Sequence, residues 1–339
     1  TAASDLPQAN VTASQATETS SVSQQLISVQ TDLYHLWINP KGGDIVRIEL
    51  LSHDKSKNGD QPFVMLENDA KRTYVAQSGL IGLNGPDSNR NGRPMYDVEK
   101  TAYTLADAKS VATKDGKTHQ VLTVPLVFKT PEGVEIIKSF TFTKGDYPIT
   151  VKHQVINRSQ QSWQGQMFGQ LKRDNSDDPG KSDQGIFTLG TFLGGAWGTP
   201  EANYNKLKFA NFSDEKFYLE AKDAWVAMVQ HYFVSAWIPG NLKLTQADGQ
   251  PYTAKLESRQ STDKMNIIGF TSPVINVPAG TSMEVDAKLY AGPKVQSELK
   301  DLAVGLNQTV DYGWLWPIAK LLFLGLQFFH NIVGNWGWS

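Results

Sequence analysis

A short acidic run, Asp87-Ser88-Asn89-Arg90-Asn91-Gly92, is the first stretch whose residue types could bind a metal. Its oxygen-bearing side chains, followed by a glycine, match the first half of a calcium-binding EF-hand loop. The second half does not match, because Val98 occupies the place of the bidentate glutamate and Glu99 comes one residue late. A turn between two strands explains the run without calcium, so the sequence predicts no metal site.

The histidines are the next residues with acid–base potential, and none of them occurs in HExxH or in another close metal-binding spacing. They are His35, His53, His119, His153, His231 and His330. His153 is expected on the apolar face of a strand, and His231 in the most buried-looking strand. A sugar enzyme could use such histidines with a glutamate as acid and base. No Glu or Asp lies beside either one in a recognisable motif, which favours core histidines held by hydrogen bonds.

Other classes of chemistry are excluded more directly. The sequence has no GxSxG, P-loop or dinucleotide-binding glycine motif, and Gly42-Gly43 is interpreted as an ordinary pair of turn glycines. Cysteine is absent, so there is no thiolate nucleophile, disulfide or Cys-ligated metal. A net charge of −2 and a pI near 6.3 give no positive field that would attract nucleic acid. We therefore expect no catalytic residue, no cofactor and no nucleic-acid partner.

The C-terminal stretch from Asp311 to Ser339 is unlike the rest of the chain, since it holds four of the nine tryptophans. Pro317 suits the first turn of a helix and Gly334 its end, which predicts a helix of about 17 residues. Its wide apolar face fits a helix at a membrane surface or a helix docked on its own domain. A complete span would need about 20 apolar residues. The predicted membrane-interface residues are Trp314, Trp316, Ile318, Leu321, Leu322, Phe328, Phe329, Trp336 and Trp338.

Upstream of this stretch the pattern predicts β-strands. Leu33–Ile38 and Ile45–Leu51 read as a hairpin, with Val46, Ile48 and Leu50 on one face. Val134–Thr143 and Ile149–Asn157 read as a second hairpin, and the alternation of the latter strand places His153 among apolar residues.

Two further runs complete the pattern. Trp225–Ile238 is apolar in both phases, which predicts one central strand covered on both faces. Pro125, within the strand Val121–Lys129, marks an edge or a bulge. Many strands separated by Gly, Pro and Asn turns predict a mainly β protein, a large antiparallel sandwich.

The chain divides into three parts. Residues 1–25, rich in Ser, Thr, Ala and Gln, are predicted to be a disordered linker. Residues 26–300 form the β domain, and residues 301–339 form a C-terminal helical segment. Because the chain starts with Thr1 and ends just after an apolar, aromatic run, we expect it to be cut from a longer protein.

Several stretches carry a family likeness: INPKGGDI at 38–45, YVAQSGLIG at 74–82, WVAMVQHYFVSAWIP at 225–239, KLYAGPK at 288–294, TVDYGWLWPIAK at 309–320 and VGNWGWS at 333–339. They run in order over nearly the whole chain, and the last two are the most specific. On these residues the chain resembles the large periplasmic domain of the YidC/Oxa/Alb family of bacterial membrane-protein insertases.

The resemblance implies a β-supersandwich like that of galactose mutarotases, with a C-terminal amphipathic α-helix. It implies that residues 301–339 lead along the membrane surface to a membrane span, on the periplasmic side of the bacterial inner membrane. The implied function is to support insertion and folding of nascent inner-membrane proteins by docking SecDF, through SecF, and the SecYEG translocon, without enzymatic activity. The alternative is a carbohydrate-binding or aldose-mutarotase-like supersandwich that depends on His153 or His231.

Overall fold

Alternation of apolar and polar side chains folds most of the chain into strands. The computed structural model describes residues 5–7, 25–54, 61–88, 92–112, 116–179, 192–214, 217–244 and 250–310. In chain order the strands are β1 Ile27–Gln30, β2 Tyr34–Asn39, β3 Asp44–Asp54, β4 Pro62–Asn68, β5 Thr73–Ile81, β6 Asp97–Val98, β7 Ala102–Thr104, β8 Lys109–Ala112, β9 Thr118–Lys129, β10 Val134–Thr143, β11 Ile149–Asn157, β12 Trp163–Arg173, β13 Gly194–Gly198, β14 Asn205–Lys208, β15 Tyr218–Ala221, β16 Trp225–Val229, β17 Phe233–Leu244, β18 Gln250–Pro251, β19 Ala254–Gln260, β20 Asn266–Thr271, β21 Ile275–Val277 and β22 Ser282–Pro293.

Helices are short within the described residues. The α-helix α1 covers Gln296–Leu302, and single 3₁₀ turns cover Leu105–Asp107, Phe209–Asn211 and Leu306–Thr309.

Two sheets of eleven strands each contain all of these strands. Sheet I has the order β15-β19-β20-β12-β5-β4-β3-β2-β1-β7, with β21 beside β12. Sheet II has the order β14-β13-β16-β17-β22-β11-β10-β9-β6, with β18 beside β17 and β8 beside β9. Every described strand pair is antiparallel except β1 with β7. The predicted fold class, a mainly β antiparallel sandwich, is confirmed.

The core lies between the two sheets and is built from the apolar face of each strand. On β11 the residues Ile149, Val151, His153 and Val155 alternate inward, as the sequence predicts. Burying each large apolar side chain contributes about 1.5–3 kcal/mol. The indole N–H of Trp237, on β17 of sheet II, also donates a hydrogen bond to the Gln170 carbonyl of sheet I at 3.1 Å. The sheets are therefore joined by packing and by specific polar contacts.

The hairpin of β2 and β3 is confirmed, but its predicted face is wrong at one residue. Trp37 pairs with Arg47 and Ile38 pairs with Ile45, so Val46 is an extra residue that forms a β-bulge. The bulge shifts the phase of the strand, and Ile45 is buried while Val46 is partly exposed. A period of two predicts the face of a strand only as far as the next bulge.

The prediction of one central strand over Trp225–Ile238 is also wrong. The run forms two strands, β16 and β17, that pair antiparallel with Val229 opposite Val234. The Gln230 N–H closes the turn by donating to the Phe233 carbonyl at 2.9 Å. No Gly, Pro, Asn or Asp marks this turn, so nothing in the pattern separates the strands. Burial on both faces is confirmed for β16.

Pro125 lies where the sequence places it, at an uncovered edge. It pairs with Ser139 of β10 on one side of β9. On the other side β8 covers Thr118–Val121 and β6 covers Leu126 and Val127. Among the described residues no strand faces Pro125 across this gap, so the N–H that proline lacks is not needed.

The domain boundaries drawn at 25/26 and 300/301 stay predictions, and the structure describes residues on both sides of each. Residues Asp5–Pro7 of the predicted linker are described, and Leu6 is buried against the sandwich. At the other end α1 crosses the boundary, and Leu306 beyond it is fully buried. The predicted amphipathic helix Pro317–Val333 lies outside the described residues.

The Tyr34 hydroxyl reaches from β2 of sheet I to sheet II. The oxygen lies 2.7 Å from the Tyr147 carbonyl and 2.6 Å from the Ala291 carbonyl, in a fully buried position. Tyr34→Phe leaves these acceptors without their donor, and we expect it to lower the free energy of unfolding by about 1–3 kcal/mol in urea titrations. Tyr218→Phe is the control, since Tyr218 is 62% exposed. Equal losses for the two variants would contradict the bridging role.

Candidate binding site on the outer face of sheet I

Strand β12 lies in the middle of sheet I and carries the side chains that build the site. Met167 and Leu171 point inward and belong to the main core. Phe168, Gln170 and Lys172 alternate with them and therefore lie on the outer face. Phe168 is nevertheless fully buried, and it belongs to a small apolar cluster separate from the main core.

The neighbouring strands add further polar groups to this face. Gln170 pairs with Gln77 on β5 and with Gly269 on β20, and Arg259 is carried by the next strand, β19. Gly269 has no side chain, and a Cβ there would lie 2.7 Å from the Gln170 Cβ. The space left by Gly269 lets the Arg259 guanidinium donate to Gln170 Oε1 at 2.5 Å.

A segment from the beginning of the chain occupies this surface. Leu6 is 6% exposed and packs with Ile81 and Phe168. The Asp5 carbonyl accepts hydrogen bonds from Gln170 Nε2 at 2.7 Å and from Arg259 Nη2 at 3.1 Å. The Asp5 carboxylate pairs with Lys172 Nζ at 2.5 Å. We define the docking site as Ile81, Phe168, Gln170, Lys172 and Arg259.

The docking site is connected to a group of buried charges. Gln170 Nε2 also donates to Gln77 Oε1 at 2.9 Å, and Gln77 Nε2 donates to Asp44 Oδ2 at 2.8 Å. Asp44 is in turn paired with Arg93, whose guanidinium carbon lies 5.2 Å from the Phe168 ring centroid. We define the buried charge cluster as Asp44, Asp87, Arg93 and Lys138.

Asp87, the first residue of the calcium-like run, belongs to this cluster. Its Oδ2 accepts the Leu80 N–H at 2.7 Å, and its Oδ1 lies 2.6 Å from Arg93 Nη1. A Cβ at Gly79 would lie 2.2 Å from the carboxylate, so glycine is required beneath it. Burial raises the pKa of Asp87, and the Arg93 charge opposes that rise. Residues 89–91 of the run lie outside the described residues, and the described part of the chain contains no metal-binding group of His, Asp and Glu.

Lys138 enters the cluster from sheet II. Its ammonium donates to the carbonyls of Gly42 at 2.9 Å, Gly43 at 2.8 Å and Ser78 at 2.7 Å, all on the sheet I side. Gly43 has a φ of +63°, and a Cβ there would lie 2.9 Å from Lys138 Cδ. Gly42-Gly43 is therefore more than an ordinary turn, because it lets the lysine reach the backbone. Burial lowers the pKa of Lys138, and Asp44 opposes the effect.

His153 is a core residue, as the sequence favours, but the predicted hydrogen bond is missing. It pairs across the strands with Lys138 and is fully buried. Neither ring nitrogen has a hydrogen-bond partner among the described residues. Burial, together with the Lys138 and Arg93 charges, lowers the pKa of His153 well below its ordinary value. A sealed, neutral imidazole has no access to a sugar.

His231 is not in a buried strand, contrary to the prediction. It lies in the turn between β16 and β17, partly exposed, with its ring 4.0 Å from that of Tyr232. Its carbonyl accepts a hydrogen bond from Lys294 Nζ at 3.0 Å. The two histidines proposed for sugar chemistry thus lie in different environments, one inside the sandwich and one at a turn.

The predicted membrane-interface residues, from Trp314 to Trp338, lie outside the described residues. Within the described ranges no helix has the length and apolarity that a membrane crossing requires. Sequence reasoning missed the docking site and the buried charge cluster. One signal for the cluster was available: Lys138 occupies an inward position between the apolar residues Ile136 and Phe140.

Comparison with known families gives a match to the YidC periplasmic domain over residues 26–324. A relative from Pseudomonas putida strain GB-1, named membrane protein insertase YidC, is 42% identical over 340 residues, covering 100% of this chain and 57% of the relative. A relative of the same name from Stutzerimonas stutzeri strain A1501 is 44% identical over 322 residues, covering 95% of this chain and 54% of the relative. The chain thus spans little more than half the length of these relatives.

Solved structures with a similar fold include a galactose mutarotase related enzyme from Lactobacillus acidophilus, with 10% identity and a TM-score of 0.47 over 78% of this chain and 97% of that one. A galactose mutarotase-like protein from Lactobacillus casei has 12% identity and a TM-score of 0.46 over 78% of this chain and 99% of that one. At these scores the likeness carries no inference about sugar chemistry in this chain.

The buried imidazole predicts a specific pH dependence of stability. Below the ordinary histidine pKa of about 6.5, the unfolded chain protonates His153 while the folded protein keeps it neutral. The unfolded state then binds more protons, so stability falls as the pH drops through this range. Relative to wild type, we expect His153→Leu to lose less stability between pH 7.5 and pH 5, by up to about 2 kcal/mol in urea titrations.

His119→Leu is the matched control, because His119 lies partly exposed on β9. It should follow the wild-type pH dependence. If His153→Leu and wild type lost equal stability over this range, the neutral state of the buried imidazole would be refuted.

Proposed function

The chain belongs to the YidC periplasmic domain family, and from this premise we propose that it supports the insertion and folding of inner-membrane proteins from the periplasmic side. The observation that carries the proposal is the extent of the family match, residues 26–324, together with 42% identity to a named insertase along the whole chain. The chain spans 57% of that relative, and the proposed role is that of one domain within a protein of that kind. Its role is binding and support, with no reaction of its own.

The distribution of reactive groups supports binding over catalysis. Asp44 and Asp87 pair with Arg93, and Lys138 donates to backbone carbonyls, with both carboxylates and the lysine in buried positions. Fully buried His153 offers no surface to a substrate. The surface of the sandwich offers sheet edges, outer sheet faces and exposed apolar side chains, and features of these kinds bind polypeptides.

The proposed partners are SecDF, through SecF, the SecYEG translocon and nascent inner-membrane proteins. Among the described strands, those at the ends of the sheets offer backbone groups to which a partner could add a strand: β15 and β7 in sheet I, and β14 and β6 in sheet II. Exposed apolar residues in several parts of the described surface provide positions for a contact map. They are Leu83, Met95, Val111, Tyr218, Val274 and Val304.

Site-directed photocrosslinking in native membranes tests the Sec partnership. A photoreactive amino acid is placed at each of these six exposed positions in the full-length protein, and the adducts are identified with antibodies to SecD, SecF and SecY. A docking surface restricts crosslinks to positions that share one region, so we expect a clustered subset, such as Tyr218 on β15 without Val111 on β8. Uniform crosslinking at all six positions, or no Sec adduct at any of them, would contradict docking.

We also propose that the membrane contact resides in residues 312–339, with the nine predicted membrane-interface residues facing lipid. In liposome flotation, the full chain should rise with the vesicles and a chain ending at Val310 should stay behind. Leu322→Glu and Phe329→Glu each place a charge on the apolar face and should lower the bound fraction about tenfold, since burial of one large apolar side chain contributes about 1.5–3 kcal/mol.

Gln327→Glu provides the control for charge alone, because Gln327 shares the polar stripe of the predicted helix with Lys320 and Asn331. It should float nearly as well as the wild type. Equal flotation of the full chain and the chain ending at Val310, or equal losses for Leu322→Glu and Gln327→Glu, would exclude the interfacial helix.

A further inference from the structure

The docking site contains a built set of complementary groups for the segment that occupies it. Ile81 and Phe168 provide the apolar floor under Leu6. Gln170 and Arg259 donate two hydrogen bonds to one backbone carbonyl, that of Asp5. Lys172 faces the Asp5 carboxylate. The Asp5 carboxylate, the Asp5 carbonyl and the Leu6 side chain therefore each contact a different group of the docking site.

The occupant is as distinctive as the site. Among residues 1–10, TAASDLPQAN, Leu6 is the only large apolar residue and Asp5 the only charged one. These two residues are the ones that make the contacts. The polar donors are held in place before the segment arrives, because Gln170 also bonds to Gln77 and Arg259 also pairs with Glu257. A preorganised site of this kind loses little freedom on binding.

The strength of the contact is limited. One apolar side chain, two hydrogen bonds and an ion pair in which Asp5 is 52% exposed are set against the ordering of three residues of backbone. These contributions are of similar size, so the segment exchanges between bound and free states. When it leaves, the outer surfaces of Ile81 and Phe168 and the donors of Gln170 and Arg259 become available to another chain.

We propose that the docking site is a peptide-binding site for an acidic residue followed by a large apolar residue, and that Asp5-Leu6 fills it as an intramolecular, displaceable ligand. The segment fastens the start of the chain to sheet I and keeps the site closed. A peptide segment with the same Asp-Leu chemistry competes with it. This inference rests on the contacts of residues 5–7 and stands independently of the membrane role.

Methyl NMR on the full chain tests the proposal, with the ¹³C-labelled Ile81 methyl group as the reporter. The probe is a free peptide with the sequence of residues 3–9, Ala-Ser-Asp-Leu-Pro-Gln-Ala. In the variant Leu6→Asp the site is vacated, and the peptide should shift the Ile81 resonance in a saturable manner. In the wild type the intramolecular segment competes for the site, and because its bound and free states are of similar free energy, the apparent affinity should be about twofold weaker.

Asp5→Lys serves as a second vacated variant. It replaces the half-exposed ion pair with repulsion from Lys172, and Leu6 itself is not mutated. Specificity is tested by exchanging charges. In the Leu6→Asp background, Lys172→Asp should weaken binding of the peptide about fivefold or more and should favour a peptide with Lys in place of Asp. Lys255→Asp is the control, since Lys255 is carried by β19 and faces Glu220 instead of the segment.

Three outcomes would overturn the proposal. The first is no shift of Ile81 in both vacated variants at millimolar peptide. The second is the same apparent affinity in wild type and Leu6→Asp. The third is binding that Lys172→Asp and Lys255→Asp weaken equally, because general electrostatic attraction would then explain it.

Discussion

The Lys138 ammonium is the contact on which the arrangement of the two sheets depends most. It starts from β10 in sheet II, is fully buried, and ends on three carbonyls at Gly42, Gly43 and Ser78. Taking a charge out of water is costly unless it is hydrogen-bonded and paired. Here all three ammonium protons have acceptors, and Asp44 and Asp87 balance the charges of Lys138 and Arg93. The lysine therefore fixes where the two sheets meet.

The same cluster determines the outer face of sheet I. Arg93 pairs with Asp44 and Asp87 and lies against the ring of Phe168, so these ion pairs pack beside Phe168 on the outer side of sheet I. Trp237 from sheet II bonds to the Gln170 carbonyl, while the Gln170 side chain points the other way, to Asp5. The docking site is thus held from behind by both sheets. A rigid platform for a short peptide follows from the need to satisfy buried charges.

The sequence predicted the sandwich because most strands alternate cleanly, as β10, β11 and β22 do. It failed where alternation carries no information. Val46 forms a bulge, and Trp225–Ile238 is apolar throughout and turns at residues that are not turn formers. Asp5-Leu6 was missed for a different reason. One leucine hardly changes the average composition of residues 1–25. A single apolar side chain is nevertheless enough to dock a segment on a surface that already has complementary groups in place. Lys138 was visible as a charge in an apolar register, but its acceptors come from a distant turn.

His153 and Lys172 show the two environments in which this sandwich places basic side chains, one sealed in the core and one at the surface. Catalytic use of a titratable group requires access to a substrate and a pKa near the working pH. His153 has neither, because it is sealed in the core and held neutral by burial and by the cations beside it. Lys172 lies instead at the rim of a surface site, 14% exposed, where its Nζ pairs with the Asp5 carboxylate. Lys138 joins the two sheets through backbone carbonyls, whereas Lys172 contacts a second segment of the chain at the surface.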